Sequence, residues 1–190
     1  SIYELLRYFQ HAQAVQPLEQ GILAVDFYMF NSYRGNRPDF QEGRLAATKT
    51  GQANGWGTPY DWVAVMLSQD ALNASLNTLR TQDPRRVTTP YLANGQRAWK
   101  DKPGRILSKG GYRKAFLSNE RLFASVLYFP PPSKKYSFTN PIAGESSLEE
   151  YRLLLQTAYR DHVDLKIVIN PSHARQWELI AAVGLWDTFE

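Results

Sequence analysis

Apolar residues recur at three- and four-residue spacing near the start of the chain, at Ile2, Leu5, Leu6, Phe9 and Ala12. That period predicts an amphipathic helix over residues 2–15, closed by Pro17. Gly21 then opens an almost unbroken apolar run, Ile22-Leu23-Ala24-Val25-Asp26-Phe27-Tyr28-Met29-Phe30, bounded by Asn31. A short run rich in branched and aromatic residues predicts a strand buried on both faces, as in a parallel sheet covered by helices. Helix, short link and strand together suggest the second half of a β-α-β unit.

Residues 31–58 lack periodicity and are punctuated by Gly, Asn, Pro and Ser, which predicts a long loop. A short apolar helix follows at 60–67. Ser68 is placed to cap a second one reaching Arg80, with Ala71, Leu72, Ser75, Leu76 and Leu79 on one face. Pro84, Pro90 and Pro103 mark an irregular stretch. Within it Asn94-Gly95 favours a tight hairpin turn between Tyr91–Leu92 and Gln96–Trp99. Gly110-Gly111 precedes a helix to about Tyr128, which Pro130-Pro131-Pro132 ends for want of backbone N–H donors. Ser147 and Glu150 have capping-box spacing, so the next helix should start there and run to about Asp161. Leu165-Lys166-Ile167-Val168-Ile169 is the second clear strand, followed by an Asn170-Pro171-Ser172-His173 turn and a helix that Gly184 terminates. Asp187 is placed to cap one more.

Two buried strands are too few for a self-contained parallel sheet. Both ends of the chain therefore read as cut, leaving the interior of a larger domain. The alternative is a helical domain with a minimal sheet. Composition limits the function classes. Hydrophobic content of 43% and charged content of 21% are those of a globular protein, and the absence of cysteine excludes disulfides, thiolate metal sites and a cysteine nucleophile. No apolar run approaches the roughly 18 residues that a membrane span needs. With 22 Lys and Arg against 18 Asp and Glu, the net charge of +4 is small, and nucleic acid is not an expected partner. Gly55-Trp56-Gly57 is followed by Thr58-Pro59, not by the lysine-bearing helix start of a phosphate loop.

Ligands of open α/β sheets bind beyond the carboxyl ends of the strands. Two polar clusters fall there: Asp26, Asn31, Ser32 and Tyr33 after the first strand, and Asn170, Ser172, His173 and Arg175 after the second. His173 and Asp26 are the catalytic candidates. A histidine just past a strand suits a general base or an oxyanion donor, although the same turn could simply cap a helix. A carboxylate inside an apolar run is costly unless paired, so Asp26 serves either a buried ion pair or a site. Asn31, Asn170, Ser172 and Arg175 are the candidate substrate-binding residues. Of the other two histidines, His11 falls on the exposed side of the first helix and His162 at a helix end, where a cation meets the carbonyl dipole favourably. Histidines this widely spaced predict no metal site, and no cofactor is expected. No Gly-x-Ser-x-Gly elbow is present.

The segment Val25-Asp26-Phe27-Tyr28-Met29-Phe30-Asn31 resembles the "LDFFMFN" strand of bacterial SGNH-hydrolase-like proteins, which are related to alginate and exopolysaccharide O-acetyltransferase-like proteins. Asn170-Pro171-Ser172-His173-Ala174-Arg175-Gln176, with Gly184-Leu185-Trp186 and Phe189-Glu190, resembles their "SPxHARQ…GLW…FE" segment. Pro38-Asp39-Phe40 and Gly43-Arg44-Leu45 fit the intervening loop. The resemblance implies an α/β fold: part of a three-layer α/β/α, flavodoxin-like and SGNH-like parallel sheet, helix-rich, in a single domain over 1–190. A long helical and loop insertion, about 50–145, would separate the two strands. It also implies an esterase or acyltransferase acting on an acyl ester of a cell-envelope polysaccharide, in the envelope or periplasm. In such proteins a serine attacks the acyl carbonyl, a histidine accepts its proton and an Asp orients that histidine. The serine segment and the Asp-x-x-His segment are absent here, so the chain by itself is expected to be inactive, with His173 lining the pocket beside Asp26 and Asn31. Any membrane anchor would lie outside these residues. A non-catalytic binding or assembly component of a glycan-export or secretion system is the alternative.

Overall fold

The computed structural model describes residues 1–54, 57–80 and 102–190. They form two compact units, one of residues 1–58 with 119–190 and one of residues 59–118. The second unit falls within the stretch read as an insertion. The hairpin expected around Asn94-Gly95 lies outside the described residues.

In the first unit, helix α1 (Ile2–Val15) starts at Ser1, whose hydroxyl accepts the Glu4 amide proton. It leads into strand β1 (Gln20–Val25). The second unit holds most of α2 (Gly57–Met66), α3 (Gln69–Arg80), α4 (Lys102–Ser108) and most of α5 (Gly111–Leu122). Ser68 caps α3 as its position predicts, accepting the Ala71 amide proton at 3.0 Å. Helix α4 has no counterpart in the sequence pattern; Pro103 stands in its first turn, where its missing N–H is of no consequence.

Back in the first unit, a π-helical turn, Phe123–Tyr128, continues α5, and the chain leaves it at Phe129, just ahead of the three prolines. A two-residue hairpin, β2 (Thr139–Asn140) with β3 (Glu145–Ser146), precedes α6 (Ser147–Arg160). Strand β4 (Asp164–Ile169), α7 (Ala174–Ala182) and the short α8 (Trp186–Phe189) complete the chain. Asp187 lies inside the first turn of α8 and Leu185 stands at its cap position, so Asp187 does not cap it.

The two strands pair in parallel, from Gln20 against Asp164 to Val25 against Ile169. Backbone bonds from Asp164 to the Glu19 carbonyl and from Asn170 to the Val25 carbonyl, both 2.9 Å, extend the ladder at each end. The helices preceding the strands, α1 and α6, pack on one another, burying Ile2, Leu6, Leu154 and Ala158. The unit is therefore mixed α/β, built on a two-stranded parallel sheet.

Burial of the strands on both faces is not observed. Ile22 is 76% exposed and Ile169 79% exposed, because among the described residues no helix layer closes over those positions. The first strand is also shorter than its apolar run suggests. It ends at Val25, and Phe27–Phe30 wind into a 3-10 turn. Three residues per turn send successive side chains in three directions, and the aromatic side chains take separate neighbours. Phe27 stacks on Tyr136 with ring centroids 4.5 Å apart, Tyr28 meets Phe123 edge-on, and Phe30 meets Tyr151 edge-on. A strand would have sent Phe27 and Met29 to one face and Tyr28 and Phe30 to the other.

Two buried polar side chains fix the loops. Asn31 is 1% exposed. Its Nδ2 donates to the carbonyls of Tyr128 (2.9 Å), Lys135 (3.1 Å) and Leu127 (3.4 Å), and its Oδ1 accepts from the amides of Tyr33 (3.1 Å) and Ser137 (3.4 Å). Arg7, also buried, donates to the carbonyls of Ala47 and Thr48 and lies 3.0 Å from a Glu42 carboxylate oxygen. His11 is not simply an exposed helix residue: its Nδ1 accepts the Ala46 amide proton at 2.9 Å. Ser147 does not form the expected capping box. Its hydroxyl donates instead to the Phe30 carbonyl at 2.6 Å, tying the start of α6 to the 3-10 turn.

Replacing Asn31 by Ala orphans buried carbonyls and amides on three segments. Each such group costs roughly 1–3 kcal/mol, so Asn31→Ala should destabilise the protein by about 2–4 kcal/mol in denaturant titration, with Asn31→Asp only partly restoring stability because a carboxylate cannot donate to the three carbonyls.

Candidate functional site

Past the carboxyl end of the parallel pair, the chain leaves a cavity of about 350 Å³. Val25 and Ile169, the last paired residues of β1 and β4, line it, and Phe27, Phe30, Phe138, Tyr151 and Phe189 form aromatic walls. Asp26 contributes the acidic side chain of this lining. It is half-buried, and burial raises its pKa above the ordinary carboxylate value, opposed by a hydrogen bond from the Phe27 backbone. Among the described residues no Lys, Arg or His pairs with it. The buried ion pair that would have given Asp26 a structural duty is thus not found there.

Behind the walls lie two phenols. Tyr136 donates from its hydroxyl to the Phe27 carbonyl at 2.7 Å, and burial pushes its pKa far above that of a free phenol. Burial pushes Tyr128 up to about 12, against the hydrogen bond from Gln176, which favours the phenolate; the Asp26 carboxylate adds to the upward shift. Both phenols therefore stay protonated at neutral pH and can donate but do not serve as bases.

The four candidates after the second strand arrange themselves differently. Asn170 sits directly beside the first cluster, since its amide bonds to the Val25 carbonyl. None of Asn170, Ser172, His173 and Arg175 lines the aromatic cavity. His173 caps α7 itself, its Nδ1 accepting the Arg175 amide proton at 3.2 Å. Arg175 forms an ion pair with Glu120, which holds the Glu120 carboxyl below its usual range. Asn31 has both ends of its amide engaged with backbone groups, which makes it a scaffold for the cavity, not a ligand contact. Its neighbour Ser32 likewise donates to the Phe138 carbonyl.

No family model, no curated protein and no solved structure matches the chain. Asp26 is among the candidates that the sequence offers, whereas Phe138, Tyr151 and Phe189 are not. The available signal was the pair of aromatics at Tyr136 and Phe138, in a segment without helical periodicity. Among the described residues no cluster of His, Asp and Glu is arranged to hold a metal ion.

A second carboxylate is perturbed nearby. Glu150 lines a small cavity of about 60 Å³ with Glu145, Asn31 and Ser147, and burial, reinforced by the Glu145 charge, pushes it up to about 7. A carboxylate whose folded pKa exceeds its unfolded value binds its proton more tightly when folded. Stability is then greatest below the unfolded pKa and is lost as pH rises through the folded one. Thermal melts should show stability falling from about pH 4.5 towards about pH 7. Glu150→Gln should flatten that fall, and Asp26→Asn should raise the melting temperature at neutral pH with no advantage in acid.

The cap at His173 gives a separate test. His173→Ala should cost about 1 kcal/mol, a typical loss for an N-cap, while His173→Ser should restore most of it; urea denaturation of both variants measures the difference.

Proposed function

We propose that the chain binds an acyl ester of a cell-envelope polysaccharide, as part of an SGNH-hydrolase-like esterase or acyltransferase with a three-layer α/β/α fold. The observation that carries this reading is a half-buried carboxylate, Asp26, with no cation paired to it among the described residues, in an aromatic cavity beyond the ends of two parallel strands. That is where open α/β sheets place their ligands. The apolar walls suit an acyl group, and aromatic faces suit a sugar ring. Ionised Asp26 accepts from sugar hydroxyls. Protonated, a form that its burial favours, it donates to the ester carbonyl. The likeness of the two strand-end segments to those of SGNH-hydrolase-like proteins supports the same class.

The 190 residues contain neither a Gly-x-Ser-x-Gly elbow nor an Asp-x-x-His segment. In this reading they hold the ester, and the serine nucleophile with its histidine is supplied from elsewhere. One observation favours the non-catalytic alternative, a binding or assembly component of a glycan-export or secretion system: His173 commits its Nδ1 to capping α7.

Binding is tested by titrating isotopically labelled protein with 6-O-acetyl and 6-O-octanoyl glucose and following amide chemical shifts. Saturable shifts at Val25, Asp26, Phe27 and Tyr151 are expected, with no release of the acyl group. Thr188 also lines the cavity at an exposed position, so Thr188→Trp fills it without removing a core side chain and should weaken binding about tenfold or more, a loss of about 1.4 kcal/mol. Absence of saturation, or shifts confined to other surfaces, overturns the reading. Ester turnover by a longer chain carrying the missing motifs would separate the enzyme from the binding component.

A further inference from the structure

The most concentrated charge in the described chain lies far along the sequence from Asp26. Residues 102–121 contain six Lys and Arg and one acid, Glu120, a local excess greater than the net +4 of the whole protein. Three of these cations, Arg105, Lys109 and Lys114, converge on one groove of about 640 Å³ between α4 and α5. Ile106 and Ala115, both half-buried, form its floor, and Ser118 adds a hydroxyl. The turn joining the helices brings the chain close: Gly110 has φ +100°, and a Cβ there would come within 2.6 Å of the Lys114 side chain. Gly110 therefore lets Lys114 fold back over the turn into the groove. Among the described residues no carboxylate pairs with Arg105, Lys109 or Lys114.

We infer that this groove is a binding site for a small organic phosphate. Three cations lining one concavity repel one another, and a ligand with two or more negative charges relieves that repulsion, whereas a single carboxylate balances only one of them. The Arg105 guanidinium matches the geometry of phosphate oxygens, and the two ammonium groups add point charges. The amino-terminal end of α5, which opens at Gly111 on the groove, contributes partial positive charge. The volume exceeds what a bare anion needs, and the Ile106 and Ala115 floor offers apolar contact to the organic part. This site is independent of the acyl-ester reading, and either can fail alone.

Calorimetric titration of the whole chain with inorganic pyrophosphate at low salt tests the site. Saturable binding is expected, weakening steeply as salt is added, with sulfate weaker and acetate weaker still. The triple variant Arg105→Gln, Lys109→Gln, Lys114→Gln should lose binding at least about tenfold with an unchanged far-ultraviolet circular dichroism spectrum. Should that variant fold poorly, the single exposed change Lys109→Glu decides the matter by the same loss. Failure to saturate, equal binding by wild type and variants, pyrophosphate no tighter than acetate, or tight binding confined to RNA oligonucleotides would each overturn the proposal.

Discussion

The first unit depends on one side chain that carries no charge. Asn31 sits where three stretches of irregular backbone meet: the end of the 3-10 turn, the end of the π-helical turn at Tyr128, and the loop from Lys135 to Ser137. Buried backbone groups without partners are expensive, and none of these stretches has a sheet or helix ladder to supply them. A primary amide meets the need because it offers two donors and two acceptor lone pairs in one plane. The consequence reaches the cavity. Tyr136, one residue past Lys135, stacks on Phe27, and Phe138 meets Phe30 edge-on. The aromatic walls stand where the Asn31 hydrogen bonds hold their backbones. Ser147 does the same for α6, anchoring its first turn to the Phe30 carbonyl, one turn ahead of Tyr151.

The regular elements were legible wherever local chemistry decides them. Spacing of apolar residues located α1, α3 and α6 nearly to the residue, Ser68 capped as read, and Gly184 adopts the left-handed φ of +75° that a helix end uses. The parallel pairing of the two apolar segments is observed, although the burial on both faces from which it was expected is not. What the sequence concealed was competition between tertiary partners. The residues 27–30 have every mark of a strand, yet four large side chains could not all be covered on a two-stranded sheet, and a 3-10 turn distributes them. Ser147 had a local partner in Glu150 and a distant one in Phe30, and the distant one prevails. His11 and Asn31 are polar residues whose partners lie more than about 30 residues away or in loops, beyond the reach of any periodicity.

The same logic separates the candidate site residues. His173 and Arg175 satisfy local demands, a helix cap and an ion pair, so their types are accounted for without a ligand. Asn31 is accounted for by its five backbone partners. Asp26 differs. It stands at the end of a strand, half-buried among Phe27, Phe30 and Phe189, with its neighbour's backbone amide as a partner and no cation beside it among the described residues.

That arrangement makes the cavity and the carboxylate parts of one problem. Desolvation raises the free energy of the charged form, and the fold has two ways to lower it: protonate the group or place a donor against it. Protonation is available in acid, but at neutral pH it leaves the strand end less stable than an uncharged isostere would. The Phe27 backbone amide already supplies one donor, and a guest in the cavity can supply another, whereas Tyr136 directs its proton at the Phe27 carbonyl. A purely apolar guest would fill the aromatic walls and bury Asp26 further, worsening its position. A guest with an apolar end and hydroxyl groups resolves both at once, and an acylated sugar has that composition. On the proposed reading, the carboxylate selects the hydroxyl-bearing end of the guest and the walls its acyl end.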